Sequence, residues 1–129
     1  MNRKNETNNG KTFRRYVGDK GEMRACEILR ENGFTILQRN YAVHNVGEID
    51  IIAEKNKDIY IFEVRTRMNI GTYPDSAESV TGNKRSKIIR TAERYISENS
   101  LYDRNIVFEV IKVTSDAQGN ILRTEFIPL

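Results

Sequence analysis

The 129-residue chain contains one cysteine, Cys26, and one histidine. A single cysteine excludes both an intrachain disulfide and a cysteine-based zinc site. Chains without disulfides are typical of reducing compartments, so we expect a cytoplasmic protein. Cys26 falls within a predicted helix, where a small buried side chain is a better interpretation than a nucleophile.

Long hydrophobic runs are also missing. No stretch approaches the roughly 20 apolar residues that span a bilayer, and the polar, Asn-rich start resembles neither a signal peptide nor an anchor. We therefore expect no membrane association. Residues 1–11 are predicted to form a disordered tail, and residues 12–129 a single domain.

Familiar catalytic motifs are absent as well. The sequence shows no convincing Ser-His-Asp arrangement, and Gly71 and Gly82 stand alone, outside any phosphate-cradling loop. There are no internal repeats and no low-complexity segments.

Basic residues are in modest excess and are unevenly distributed. The formal net charge is +3, and basic side chains concentrate in segments 3–15 and 84–94. Such clusters suit a polyanion partner, and they are equally typical of solvated helix faces. The residues expected to contact nucleic acid, DNA in the first instance, are Arg14, Arg15, Lys84, Arg85, Lys87 and Arg90.

Hydrophobic periodicity predicts the element order α-β-β-β-α-β-β, an α/β fold with a mixed β-sheet flanked by helices. Gly33 is predicted to end the first helix, and Thr81 to cap the second. An irregularity is expected near Arg39-Asn40. The predicted helices cover residues 12–32 and the residues after Thr81; the predicted strands cover 34–43, 48–53, 59–66, 106–113 and 121–127; residues 68–80 are predicted to form a loop.

Two neighbouring β-prone segments carry acidic residues where a core should carry none. Alternation places Glu48 and Asp50 on one face of the first segment, and Glu63 and Arg65 on one face of the next. If the two segments pair as a hairpin, Asp50 and Glu63 approach each other. Two such carboxylates are tolerable around a divalent cation, and hard oxygen ligands suit Mg²⁺ or Mn²⁺.

Other interpretations of these acids stay open. Glu22 shares the sheet-facing side of the first helix and could supply a third acid, or it could favour the N-terminal part of that helix through its charge. Asp50 could be a turn residue. Glu63 could form a buried ion pair with Arg65 or Arg67, although that arrangement is costly.

The order of these residues resembles the PD-(D/E)xK phosphodiesterase superfamily, and more closely the YraN-like family of small bacterial proteins within it. The resemblance covers about residues 13–113. It is carried by Gly18-x-x-Gly21-Glu22 with Ala25 and Leu29, Gly33-Phe34, Arg39-Asn40-Tyr41, Gly47-Glu48-Ile49-Asp50, residues 62–67, Lys84, Ala92 and Tyr95, and Phe108-Glu109-Val110. It implies a restriction-endonuclease-like core and a proposed nuclease activity.

The resemblance also implies a metal site that contains Glu22, Asp50 and Glu63, with Glu48 as a neighbour. The family pattern carries lysine where this chain has Arg65. Arginine can stabilise charge but cannot accept a proton from water at neutral pH. We hypothesise that Lys84 supplies the missing ammonium from the second helix.

The expected function is therefore Mg²⁺- or Mn²⁺-dependent hydrolysis of phosphodiester bonds in DNA, with branched DNA suggested by similarity to Holliday-junction resolvases. In that reaction Asp50, Glu63 and Glu22 bind the metal, and Arg65 stabilises charge. The alternative is a catalytically weak or inactive nucleic-acid-binding accessory protein, and a third, weaker interpretation is a structural protein that holds an ion. The last two strands expose a surface through which a homodimer could form.

Overall fold

A computed structural model describes residues 9–69 and 81–129, with the side chains of residues 9–11 left out. The element order predicted from the sequence is confirmed. No helix in this described part is long and apolar enough to cross a membrane. The elements are α1 (Asn9–Glu31), β1 (Thr35–Val43), β2 (Gly47–Lys55), β3 (Asp58–Met68), α2 (Gly82–Glu98), β4 (Ile106–Ser115) and β5 (Ile121–Pro128).

The five strands form one mixed sheet in the order β1-β2-β3-β4-β5. β1, β2 and β3 pair in antiparallel fashion, β3 and β4 run parallel, and β5 is antiparallel to β4. The β2–β3 hairpin turns through Asn56 and Lys57, which both have positive φ (53° and 72°). Two successive left-handed residues match the twist of a tight hairpin, so the predicted pairing of the acidic strands is confirmed.

The two helices cover opposite faces of the sheet. Ile59 and Ile61 of β3 pack in one cluster with Ile88 of α2, whereas Phe62 packs in the other cluster with Leu29 of α1. Because successive side chains of a strand point to opposite faces, the helices must lie on opposite sides. β3 is therefore buried on both faces, as its continuous apolar run predicts.

The ends of α1 show where local sequence rules succeed and where they fall short. Gly33, at φ 88°, ends the helix as predicted, and the Phe34 N–H donates to the Leu29 carbonyl at 2.9 Å. The helix begins at Asn9, not near Thr12. The expected disordered tail thus lies mostly outside the described residues, and its last three residues are helical. Most of the expected loop, residues 70–80, also lies outside them.

In β1 and β2, the backbone becomes irregular at positions that lie opposite each other in the sheet, and in β2 the side chains no longer alternate between the two faces there. Ile49 packs with the α2 cluster and Ile51 with the α1 cluster, although residues two apart normally share a face. Opposite this point, Asn40 of β1 has a φ of 52°, at the irregularity that the sequence predicts. Asp50 therefore sits where the strand changes its facing, at the end of its regular pairing with β3.

Candidate active site

Asp50 and Glu63 come together at the end of the β2–β3 hairpin. Regular pairing ends with Ile51 opposite Phe62, and the acidic residues are the next on each strand. The Val64 N–H donates to Asp50 Oδ2 at 2.8 Å, which holds the Asp50 carboxyl against β3. The carboxyl groups of Asp50 and Glu63 are close enough for each to shift the pKa of the other. The approach of these two side chains is as the hairpin argument predicts.

The two carboxyl groups titrate very differently. Burial, the hydrogen bond to Glu63 and the negative charge of Glu63 raise the pKa of Asp50 to about 8. Burial alone would raise the pKa of Glu63 too, but hydrogen bonds to Asp50 and Lys84 and the positive charges of Lys84 and Arg65 lower it. Near neutral pH the two carboxyl groups therefore hold one proton between them.

Lys84 brings a positively charged side chain from α2 to the acidic pair. Its Nζ lies 2.8 Å from Glu63 Oε2, and the exposed fraction of the side chain is 49% for Lys84 and 8% for Glu63. The Lys84 backbone N–H donates to the Thr81 hydroxyl at 3.2 Å, so the predicted N-cap also fixes the start of the helix that carries the lysine. The buried acid thus forms an ion pair with a lysine of α2.

An open cavity of about 310 Å³ extends from the acidic pair along α2. α2 can approach β2 closely because Gly47 has no side chain; a Cβ there would lie 2.8 Å from the Thr91 hydroxyl. Glu48, at the surface, lines the same cavity as Asp50. The residues that line it are Gly47, Glu48, Asp50, Glu63, Lys84, Lys87 and Ile88.

Glu22 lies apart from this cavity, on α1. Its Oε1 is 3.6 Å from Arg39 Nη2 on β1, and the exposed fraction of its side chain is 23%. Partial burial raises the pKa of Glu22, against the opposing charge of Arg39. Its negative charge still contributes to the raised pKa of Asp50, so Glu22 influences the pair without lining the cavity.

The described residues supply a two-carboxylate site. Within 9–69 and 81–129, no three His, Cys, Asp or Glu side chains cluster closely enough to hold a metal ion. The oxygens of Asp50 and Glu63 are nevertheless suitable ligands for Mg²⁺, which commonly keeps several waters and takes one or two protein carboxylates. Burial and the neighbouring Glu63 raise the pKa of Asp50, and a divalent cation between the two carboxyl groups would relieve the repulsion between their charges.

With this geometry established, comparison with known proteins identifies the family. Residues 21–113 match the family described as Uncharacterised protein family UPF0102. The chain belongs to this family. UPF0102 is the YraN-like family, and it lies within the restriction-endonuclease-like superfamily, so the resemblance stated from the motifs is confirmed.

UPF0102 proteins of several bacteria are similar along most of the chain. The protein of Clostridium acetobutylicum is 43% identical over 112 residues, 86% of this chain and 89% of that protein. The protein of Dictyoglomus turgidum is 36% identical, over 87% of this chain and 93% of its own length. That of Clostridioides difficile is 45% identical, over 74% of this chain and 82% of its own length.

The basic residues predicted to contact nucleic acid divide between the two helices, and all of them are exposed. Lys84 and Lys87 line the cavity beside the acidic pair. Arg14 lies on the other face of the sheet, where it lines a smaller, mostly apolar cavity with Thr66 and Met68 at the end of β3. In this UPF0102 protein the α2 cluster is therefore the one adjacent to the acids.

Sequence reasoning underestimated the helix face that carries Lys84 and Lys87. These residues precede Ile88 and Thr91 at helical spacing, so they extend the buried stripe of α2 towards its N-terminus. The stripe itself was a usable signal, because a residue in register with it must project towards the sheet. Arg39, the partner of Glu22, gave no comparable signal.

Proposed function

We propose that this protein hydrolyses phosphodiester bonds in DNA, with Asp50 and Glu63 holding a divalent cation. One observation carries the proposal: two neighbouring carboxyl groups line an open cavity, with a lysine ammonium 2.8 Å from one of them. Titratable groups with strongly shifted pKa values that line a cavity are candidates for a functional site.

The cation expected here is Mg²⁺ or Mn²⁺, held by Asp50 and Glu63, with Glu48 and Glu22 near enough to act through water or charge. When bound, such an ion polarises a phosphate and lowers the pKa of a coordinated water. Asp50 must give up its proton to bind it. The Val64 N–H then keeps the Asp50 carboxylate oriented towards the cavity.

Positive side chains stabilise the charge that develops on the phosphate. Lys84 is a compact ammonium that reaches the acidic pair from α2. Arg65 is close enough to lower the pKa of Glu63, and it adds a second, permanently positive group. We assign the charge-stabilising role of the family's usual lysine chiefly to Lys84, with Arg65 assisting.

DNA is the substrate that best fits the surroundings of the site. Lys84, Arg85, Lys87 and Arg90 are exposed on α2, and exposed basic side chains of this kind can contact phosphates. The Arg85 guanidinium also donates to the Leu129 carbonyl at 2.8 Å. Arg14 and Arg15 on α1 provide further contacts for a substrate large enough to reach both helices. Branched DNA is a substrate of that kind.

The second candidate function is that of a DNA-binding accessory protein without useful catalysis. It is favoured by Arg65 in place of lysine and by the two-acid composition of the described site. In that case the basic surface of α2 is the functional part, and the acidic pair is a remnant.

A cleavage assay separates the two functions. Purified protein is incubated with plasmid, branched and single-stranded DNA in Mg²⁺ or Mn²⁺, beside the Asp50→Ala and Arg65→Lys variants. Metal-dependent cleavage that Asp50→Ala abolishes supports the nuclease. Tight, salt-sensitive binding without cleavage, even by Arg65→Lys, supports the accessory protein. If the protein neither binds nor cleaves any of these DNAs, both proposed functions are refuted.

A further inference from the structure

Lys84 connects two different environments. Its ammonium touches the almost fully buried carboxylate of Glu63, while about half of its side chain is exposed to solvent. Lysine has a flexible four-carbon stem and a compact charge, so its ammonium can move several ångströms without exposing new apolar surface. The contact with Glu63 is therefore exchangeable.

A divalent cation and the Lys84 ammonium compete for Glu63. A cation held by Asp50 and Glu63 would lie within a few ångströms of the present Nζ position, and like charges at that distance repel strongly in a partly buried site. Lys84 already neutralises Glu63 when no cation is bound. Binding of the cation therefore weakens the contact of the ammonium with the acid.

The cavity offers the displaced ammonium another anion. Lys84 and Lys87 are three residues apart on α2, so they are neighbours on one face of the helix, and both line the space in front of the acids. A phosphodiester that enters this space meets two ammonium groups. Each is a flexible point charge of the kind that binds phosphate oxygens.

We propose that Lys84 exchanges between two anions, Glu63 in the resting protein and a substrate phosphate in the complex, so that cation and DNA strengthen each other's binding. This inference rests on the proposed function, because it requires a cation at Asp50 and Glu63. DNA draws the ammonium away from Glu63 and opens the acid to the cation. By reciprocity, the cation releases Lys84 to the phosphate.

Calorimetric titration of Mn²⁺ tests the exchange without relying on activity. The proteins compared are the wild type, Lys84→Ala and the matched control Lys87→Ala, which removes an equal charge from the same cavity without touching Glu63. Each is titrated alone and with a short phosphorothioate DNA duplex, whose backbone resists hydrolysis. Circular dichroism verifies that all three are folded.

Without DNA, Lys84→Ala is expected to bind Mn²⁺ roughly fivefold more tightly than the wild type, the factor that corresponds to about 1 kcal/mol for a half-exposed ion pair. Lys87→Ala should change the Mn²⁺ affinity by less than about twofold. DNA should raise the Mn²⁺ affinity of the wild type more than that of Lys84→Ala, by the same factor of roughly five.

Two results would overturn the exchange while leaving the metal site intact: equal Mn²⁺ affinities for the wild type and Lys84→Ala, or equal enhancement by DNA in both. An equal gain in Lys87→Ala would also contradict it, because general charge would then explain the effect. No Mn²⁺ binding by any of the proteins would instead refute the proposed function, and the exchange with it.

Discussion

The two faces of the sheet each carry a carboxylate paired with a basic side chain, and the pairs differ in kind. On the α2 face, Glu63 is buried, has Asp50 beside it and meets a flexible lysine ammonium. On the α1 face, Glu22 is partly exposed and lies 3.6 Å from Arg39 on the edge strand β1. The second arrangement fastens a helix to a strand.

The difference indicates which of the two acidic sites is better suited to bind a divalent cation. The Glu22 carboxylate lies beside a guanidinium that balances its charge, so it has less need of a further cation. On the other face, two carboxyl groups share one proton beside an open cavity and an exchangeable ammonium. A divalent cation could replace that proton and balance the charge of both carboxylates. Similar substitutions on the two faces of the sheet should therefore have unequal effects.

The largest expected difference is in DNA cleavage by Asp50→Asn. This isosteric variant removes the carboxylate that we propose binds the cation, and we expect metal-dependent cleavage to fall by at least about 100-fold. Glu22→Gln, on the other face, should lower it by about tenfold or less, since Glu22 acts on the pair at a distance. Initial rates of plasmid DNA cleavage measure the loss in each variant. Equal losses in Asp50→Asn and Glu22→Gln would contradict the different roles assigned to the two faces.

The next largest effect is expected from Lys84→Ala. On the proposed mechanism, loss of the positive group that stabilises the reacting phosphate should slow cleavage by at least about tenfold. Lys87→Ala should weaken DNA binding with a smaller effect on the maximal rate. Rates at saturating DNA and Mn²⁺ distinguish the two. If Lys84→Ala cleaves as fast as the wild type, Lys84 has no part in the reaction.

Stability should depend on pH through Asp50. The folded protein raises the pKa of this acid from its ordinary 3.8 to about 8, so the folded state holds a proton that the unfolded chain releases. The free energy of unfolding should therefore fall as pH rises between these values, by at most about 1.4 kcal/mol per pH unit for one proton.

Asp50→Asn cannot titrate and should lack this component. Glu63, whose pKa is lowered, acts in the opposite direction, because its stabilisation is lost as the pH falls through its folded pKa. Urea unfolding of the metal-free wild type and Asp50→Asn from pH 5 to pH 8 measures the difference. Parallel curves for the two proteins would show that Asp50 keeps an ordinary pKa.

The smallest effect is expected on the α1 face. Glu22→Gln breaks a partly exposed ion pair and should lower the free energy of unfolding by less than about 1 kcal/mol. Arg39→Gln should do the same, and the double variant should lose little more than either single one, since both remove the same contact. Additive losses would mean that each side chain stabilises the fold separately.

Local patterns were sufficient to predict most of the fold. The element order, Gly33 as the end of α1, the Thr81 cap and the hairpin between the acidic strands follow from periodicity and turn chemistry, and the structure confirms them. These features depend on residues within a few positions of one another. The start of α1 at Asn9 was missed because the Asn-rich composition there argues against a helix.

The geometry of the candidate site depends on contacts between distant segments. Alternation alone places Ile49 and Ile51 on one face, and the break at Asp50 appears only when β1 and both helices are packed together. The contact between Lys84 and Glu63 joins residues 21 positions apart and requires α2 to lie against β2. The sequence could nominate Lys84, but only the fold shows which acid it meets.

A crystal structure of the wild type soaked with Mn²⁺, recorded with anomalous scattering from manganese, tests the central claim most directly. We predict one anomalous peak between Asp50 and Glu63, at about 2.1 Å from a carboxylate oxygen of each, with the Lys84 ammonium moved away from Glu63 Oε2. An anomalous peak bound by Glu22 alone, or well-ordered Asp50 and Glu63 side chains with no peak between them, would contradict it.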